Sequence, residues 1–271
     1  MKICLSVEAD GKIKASREND NRVSLVYEPK YKQGDAILLK AEHGGYFRIR
    51  LEDTMMPSVV YLPNGSMCFP IPFGVYRAGY SPRSFTGKRH FITAEEVDEK
   101  DLVFRDLAYN PYDAADVKGA FPHISTNVTY DDSFRNKIFP DKGLFAARNV
   151  IDGFGENESH RLFPYQSWGI NRNPDAFLHL DFGRPVDVSE IILTIRCEFP
   201  HDSWWTEGTL AFSDGTEEII HLEKTTKPQH FDCIHNNISF VTLKNLKKAD
   251  DPSPFPALTK WEVFGQEHRE K

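Results

Sequence analysis

The sequence predicts an all-β protein made of two β-sandwich domains, and three observations lead to this fold class. Helical periodicity is almost absent over the 271 residues, and short apolar runs alternate with turn residues instead. Residues 46–51 alternate between apolar and arginine side chains, as a strand with one buried face does. Asp214-Gly215 separates two apolar runs, which is a strong hairpin signal.

The first domain is predicted over residues 1–110. Turns are expected at residues 42–45 and 63–65, where glycine and other turn-forming residues cluster. Residues 93–96, Thr-Ala-Glu-Glu, have the pattern of a helix N-cap followed by acidic first-turn residues, so a short helix is predicted near 93–100. The predicted strands are residues 2–7, 22–27, 36–41, 46–51, 58–61 and 67–71.

The second domain is predicted over residues 120–268. The boundary is expected between residues 108 and 120, where Pro111-Tyr112-Asp113 forms a turn-rich connection. The predicted strands are residues 176–181, 189–196, 207–212, 217–222, 238–244 and 258–265. Short strands separated by glycine and proline turns fit a β-sandwich of the jelly-roll type.

Composition restricts the classes of function. The formal net charge is −7, whereas a protein that binds the nucleic-acid backbone needs a basic face, so no nucleic-acid partner is predicted. The N-terminal residues MKICLSVEADGK contain no apolar segment typical of signal peptides or membrane spans. This predicts a cytoplasmic protein with no membrane partner. The four cysteines are scattered without zinc-binding spacing and are predicted to be free, mostly structural thiols.

The stretch FAARNVIDGFGENESHRLFPYQSW, residues 145–168, is the most informative part of the sequence. A short helical turn leads into Asn-Val-Ile-Asp-Gly, where Gly153 allows the positive φ that a tight turn needs. Asp152, Asn157 and Glu158 place oxygen donors within a few residues of one another. Such a loop either holds a hard cation or is fixed by hydrogen bonds alone.

Several segments of residues 120–266 occur in the order found in a known family. They are AARNVIDG at 146–153, QSW at 166–168, AFLHLDFGRPVDVSEIILTI at 176–195, TLAFSDG at 209–215 and ALTKWEVFG at 257–265. The second half thereby resembles the discoidin, or coagulation factor 5/8 type C, family, whose fold is a galactose-binding-like jelly roll. The first half resembles a second β-sandwich without a motif that names a family.

The resemblance implies a structural calcium ion, because many bacterial carbohydrate-binding members hold one between the loop after the first helical turn and the last strand. The corresponding positions here are Asp152 and Glu262, with Asn157 among the loop oxygens. Calcium takes about six to eight oxygen ligands, which carboxylates and backbone carbonyls can supply. The alternative is that Asp152 caps a turn and that Glu262 forms an ion pair.

A second loop, FPHDSWW at residues 199–205, is predicted to contact the ligand. Because successive side chains on an extended segment point to opposite sides, Trp204 and Trp205 cannot both face inward. An indole ring stacks on the apolar face of a sugar, and polar side chains bind its hydroxyls. The predicted ligand-binding residues are Arg196, His201, Asp202, Trp204 and Trp205, with His160, Arg161, Gln166 and Trp168 in support. The alternative is that the tryptophans fill the core and that Arg196 pairs with Asp202.

These features predict a non-catalytic carbohydrate-binding protein whose partner is a sugar. One alternative is a protein–protein interaction or oligomerisation module, in which the aromatic loops contact a partner or a second copy and form a homo-oligomer. The other alternative is a glycan-active hydrolase that uses Glu198 and Asp202 as its pair of carboxylates. The chain contains no GxSxG, HExxH, P-loop or GxGxxG motif.

Overall fold

The computed structural model describes residues 1–132, 137–140, 143–159, 162–198 and 203–269, and of residues 130–132 and 137–140 the backbone alone. In these ranges antiparallel strands are joined by turns and short 3₁₀ segments, so the all-β prediction is confirmed. None of the helical segments in the described ranges is long and apolar enough to cross a membrane.

Two antiparallel sheets of four strands form a sandwich in the N-terminal half. Its strands are β1 (Lys2–Ala9), β2 (Lys12–Asp20), β3 (Arg22–Tyr27), β4 (Ala36–Ala41), β5 (Gly45–Arg50), β6 (Ser58–Leu62), β7 (Ser66–Pro70) and β8 (His90–Val97). One sheet has the order β2-β1-β4-β7 and the other β3-β8-β5-β6. Alternate residues of both sheets, such as Leu5 and Phe47, form one buried core.

The prediction of a short helix near residues 93–100 is wrong. β8 lies between β3 and β5, and its residues Ile92 and Ala94 are fully buried in the core. Only a 3₁₀ segment, Glu99–Asp101, follows, with Asp98 as its cap. The period-2 burial of a central strand therefore outweighs the local N-cap pattern.

The C-terminal half is built around one large antiparallel sheet. The strands of this half are β9 (Arg105–Asp106), β10 (His123–Thr126), β11 (Thr129–Asp132), β12 (Lys137–Pro140), β13 (Trp168–Gly169), β14 (Leu178–Arg196), β15 (Trp205–Phe212), β16 (Glu217–His221), β17 (Gln229–Lys248) and β18 (Ala257–Glu267). The order is β13-β18-β14-β17-β15-β16, with β10 beside β14 and β9 beside β18, while β11 and β12 form a separate hairpin. The predicted strands 176–181 and 189–196 are joined in β14, whose register shifts between them.

The chain crosses between the two halves more than once near the predicted boundary. β9 pairs with β18, and Leu107 and Ala108 belong to the C-terminal core. Farther along, Tyr112 and Ala120 belong to the N-terminal core, and Phe121 pairs with a strand of that half. The segment expected to be a linker, residues 108–120, is therefore packed into the fold, and the two halves interlock.

Candidate functional site

The Asp152 carboxylate ties the start of the 152–168 loop to its end. Its Oδ1 accepts a hydrogen bond from the Phe154 N–H at 3.0 Å, and its Oδ2 accepts one from Gln166 Nε2 at 2.8 Å. Arg148 Nη1 lies 3.6 Å from the same Oδ2. Burial raises the pKa of Asp152 to about 6, although Arg148 and Gln166 act in the opposite direction. Asp152 therefore fixes the loop by internal hydrogen bonds.

Gly153 explains the Asp-Gly pair in this loop. Its φ is +92°, a value that side chains rarely tolerate. A Cβ atom at this position would lie 2.6 Å from Cε2 of Tyr109, so the backbone of the loop approaches the Tyr109 ring closely. Any larger residue here would push the loop away from the connection between the halves.

Arg148 joins the same loop to the N-terminal half. Its Nε donates to the carbonyl of Asp113 at 3.0 Å, and its Nη2 donates to the carbonyl of Pro111 at 3.0 Å. Nη1 reaches the carbonyl of Gly79 at 3.3 Å, and the guanidinium lies 4.1 Å from the centre of the Tyr80 ring. The planar guanidinium of arginine can donate to all three carbonyls at once, whereas the single ammonium group of a lysine could not.

The residues of the calcium site predicted from the resemblance have other partners in the structure. The Glu262 carboxylate binds Lys260 Nζ at 2.8 Å, and Asn157 Nδ2 donates to the Thr226 carbonyl at 3.1 Å. Asp152 is held as described above, and no group of three or more His, Cys, Asp or Glu within the described ranges could hold a metal ion. A lysine ammonium supplies the positive charge beside Glu262, so the turn cap and the ion pair, the alternative prediction, describe these residues.

We accordingly expect calcium to leave the stability of the protein unchanged. A site half-saturated at one hundredth of the calcium concentration would add about 2.7 kcal/mol to the free energy of unfolding. Thermal unfolding in excess calcium and in chelator checks this, with magnesium as the control for ionic strength. A reproducible rise in melting temperature with calcium alone would contradict this account of Asp152 and Glu262.

Two of the tryptophans predicted to contact a ligand lie in the core. Trp168 and Trp205 are 0% and 1% exposed, and their ring centres are 6.0 Å apart. Neither indole has a face open to a sugar, so the binding role predicted for both residues is wrong. Both side chains belong to the hydrophobic core of the C-terminal half, where β13 pairs with β18 and β15 pairs with β17.

Trp204 is the partly exposed member of the pair, as the alternation of side chains requires. Its ring packs against the edge of the C-terminal core, and its carbonyl accepts the Ala249 N–H at 2.9 Å. The preceding Ser203 Oγ donates to Asp251 Oδ2 at 3.2 Å. These bonds hold the backbone of the loop where it re-enters β15.

Arg196 organises the loops from a buried position. It ends β14, and its guanidinium donates to the carbonyl of Tyr165 at 3.0 Å and to that of Ser159. Arg196 and Gln166 are 1% and 2% exposed, so direct contact of either with a ligand, as predicted, is not compatible with their burial. Arg196 nevertheless ties the described part of the first predicted loop, residues 154–168, to the strand that leads into the second, residues 197–206. We call these two loops the loop end.

The remaining predicted contacts are His160, Arg161, His201 and Asp202, and they lie outside the described residues. Their roles therefore stay predictions. Glu198, the first carboxylate of the alternative hydrolase pair, is exposed. Its predicted partner, Asp202, is one of the four residues outside the described ranges.

The inner side of the 152–168 loop lines a cleft against the N-terminal half that sequence reasoning missed. The cleft has a volume of about 140 Å³. Phe154 and Phe163 meet edge to face in it, with ring centres 4.8 Å apart, and Tyr80 and Tyr109 line it as well. In the sequence, the two phenylalanines that flank the polar loop were the only sign of this cleft. The residues across the cleft are distant in sequence, so the pairing of the two sides could not be predicted.

Comparison with known proteins gives similarity in solved structures alone. No protein-family model matches the chain, and no curated protein matches it. An F5/8 type C domain from Bacteroides fragilis is 11% identical with a TM-score of 0.37, covering 53% of this chain and 91% of that one. A fucose binding module from Streptococcus pneumoniae is 11% identical with a TM-score of 0.41, covering 60% of this chain and 96% of that one.

A third similar structure is the family 32 carbohydrate-binding module of NanJ from C. perfringens, solved with galactose. It is 16% identical with a TM-score of 0.37 and covers 52% of this chain and 91% of that one. At such identities and TM-scores the likeness carries no conclusion about what this chain binds.

Proposed function

We propose that this protein binds carbohydrate without cleaving it, at the loop end of its C-terminal half. One observation carries the proposal: the buried Arg196 guanidinium binds backbone carbonyls of the 154–168 loop from the strand that leads into the 197–206 loop. The described part of the 154–168 loop is therefore fixed beside the end of β14, and this supports a binding surface formed there. A surface built in advance loses little conformational entropy when a ligand binds.

The chemistry of the loop end suits a sugar ring. Trp204 is the proposed stacking partner, because its indole is partly exposed while its backbone is fixed. His160 and Arg161 follow Ser159 directly in the sequence, and His201 and Asp202 precede Ser203. We propose these four as the donors and acceptors that bind the sugar hydroxyls.

The proposal is for binding alone, and two of the carboxylates near the loop end are already engaged within the protein. Glycoside hydrolysis needs two carboxyl groups on either side of the scissile bond, about 5–10 Å apart. Asp152 is buried against Gln166 and Arg148, and Asp251 is bound to Ser203 and to Lys248 Nζ at 3.0 Å. Both carboxylates hold loops in place.

Replacing Trp204 by alanine is expected to weaken sugar binding about tenfold, which corresponds to about 1.4 kcal/mol. The reason is the loss of the apolar surface on which the sugar face stacks. A glycan array selects the sugar, and calorimetry then compares the variant with the native protein. Phe91→Ala, which removes a partly exposed ring from the N-terminal sheet, is the matched control. Equal affinities of the native protein and Trp204→Ala would contradict the proposed site.

A further inference from the structure

We propose that the cleft between the two halves is a second ligand site, which takes one neutral, polyhydroxylated six-membered ring. The ring would be a single pyranose unit, either free or at the end of a glycan. The choice of a sugar as the ligand class rests on the proposed function, whereas the cleft itself is separate from the loop end. Four features of the cleft support this ligand: its size, its apolar walls, its hydroxyl groups and its charge.

The volume of the cleft admits no more than one ring. It measures about 140 Å³, and an engineered apolar cavity of about 150 Å³ holds one benzene molecule. Because a pyranose with its hydroxyl groups is larger than benzene, part of the sugar would extend from the open mouth of the cleft. The walls are fixed where the halves meet, because a Cβ atom on Gly79 would lie 2.9 Å from Oδ1 of Asn149.

The apolar surfaces come from both halves. Phe154 and Phe163 form an edge-to-face pair with an interplanar angle of 78°. Met55 and Met56 line the same cleft from the N-terminal half, and Tyr109 lines it from the connection between the halves. Aromatic and thioether groups of this kind contact the C–H face of a sugar ring well.

Hydroxyl groups supply the polar part of the lining. Tyr80 is 6% exposed, and neither its hydroxyl nor that of Tyr109 has a hydrogen-bond partner among the described residues. Thr54 and Ser84 share a hydrogen bond of 2.6 Å, and Thr54, which is exposed while Ser84 is fully buried, keeps a lone pair for a ligand. Neither tyrosine hydroxyl is among the fully buried polar atoms that lack a partner, so both oxygens are open to a hydrogen bond from a ligand in the cleft.

The charges in the cleft favour a neutral ligand. Arg148 and Asp152 are one cation and one anion, and their closest oxygen and nitrogen are 3.6 Å apart. The guanidinium is occupied by backbone carbonyls, and the carboxylate is occupied by Phe154 N–H and Gln166. An ionic ligand would find no free counter-charge here, whereas a neutral ligand needs none.

The methionines provide a test that reports on the cleft directly. The chain has four methionines, of which Met55 and Met56 line the cleft, whereas Met1 and Met67 lie elsewhere. Protein labelled with ¹³C at the methionine methyl groups is titrated with galactose, glucose, fucose and N-acetylglucosamine, and NMR spectra are recorded. We expect the Met55 and Met56 signals to shift saturably with at least one sugar while the Met67 signal stays in place.

Two variants separate this site from the loop end. Tyr109→Phe keeps the ring and removes the hydroxyl, so the affinity reported by the cleft methionines should fall about five- to tenfold. Tyr61→Phe removes a hydroxyl outside the cleft and should have no effect. Trp204→Ala should leave the response of Met55 and Met56 unchanged.

The outcomes distinguish the two proposals. If a sugar binds by calorimetry, loses affinity in Trp204→Ala and leaves Met55 and Met56 unshifted, the cleft site is overturned and the proposed function stands. If phenol shifts these methionines and none of the sugars does, the cleft takes aromatic rings and the inference is wrong. If no sugar binds the native protein by either method, both proposals fail.

Discussion

Replacing Glu267 by alanine is expected to lower the free energy of unfolding by about 3–5 kcal/mol, because removing one partner leaves a buried charge uncompensated. Glu267 ends β18 with its side chain 2% exposed. Arg184 Nε and Nη2 donate to its two oxygens at 2.8 and 2.9 Å, and Tyr46 OH donates to Oε2 at 2.7 Å. Arg105 also binds this carboxylate. Denaturant unfolding measures the effect.

The matched control for this variant is Glu28→Ala. Glu28 pairs with Arg89 on the surface, where the two side chains are 62% and 77% exposed. Such pairs contribute about 0–1 kcal/mol. A cost below about 1 kcal/mol for Glu267→Ala as well would contradict a central role of this carboxylate, which joins β5 of one half to β18 of the other.

The same carboxylate makes stability depend on pH in the acid range. Burial by itself raises the pKa of Glu267, but hydrogen bonds and charge from Arg184, with Tyr46 and Arg105, outweigh it and lower the pKa to about 2. Because the pKa in the folded state lies below the ordinary value of 4.5, the stabilisation is complete above pH 4.5 and is lost as the pH falls through 2. The difference in stability between the native protein and Glu267→Gln should therefore shrink over that window.

Replacing Arg148 by alanine is the second large effect, with an expected loss of about 3–5 kcal/mol. The change removes the donors to the carbonyls of Gly79, Pro111 and Asp113, and it leaves Asp152 without its nearby cation. Arg148→Lys should restore part of the stability, because an ammonium keeps the charge but cannot reach all three carbonyls. Denaturant unfolding of both variants measures this, with Arg89→Ala as the control on the surface. Equal stability of Arg148→Ala and the native protein would contradict the role of Arg148 in joining the halves.

Strands with one buried face could be predicted from the sequence. The predicted ranges 22–27 and 36–41 agree with β3 and β4, since these strands alternate between buried and exposed residues. β2, in contrast, pairs with β1 alone and is exposed along nearly its whole length. A charged edge strand buries no apolar face, so its sequence carries no alternation to detect.

The candidate site could be predicted only where local geometry decides it. Alternation showed that one of the adjacent tryptophans faces outward, and the structure has Trp204 partly exposed and Trp205 buried. Lys260 and Glu262 stand two residues apart on β18, so their side chains share one face of the strand and their ion pair is a local contact. The sequence could not show that Gln166 closes the loop on Asp152, because that contact depends on how the 152–168 loop folds back on itself.

The central claim is that the loop end binds a sugar, and a crystal structure of the protein with the sugar selected by the array tests it most directly. The account predicts a sugar ring against the exposed face of Trp204, with its hydroxyls near residues 160–161 and 201–202. A fully occupied sugar bound elsewhere, with the loop end open to solvent and empty of ligand, would contradict it.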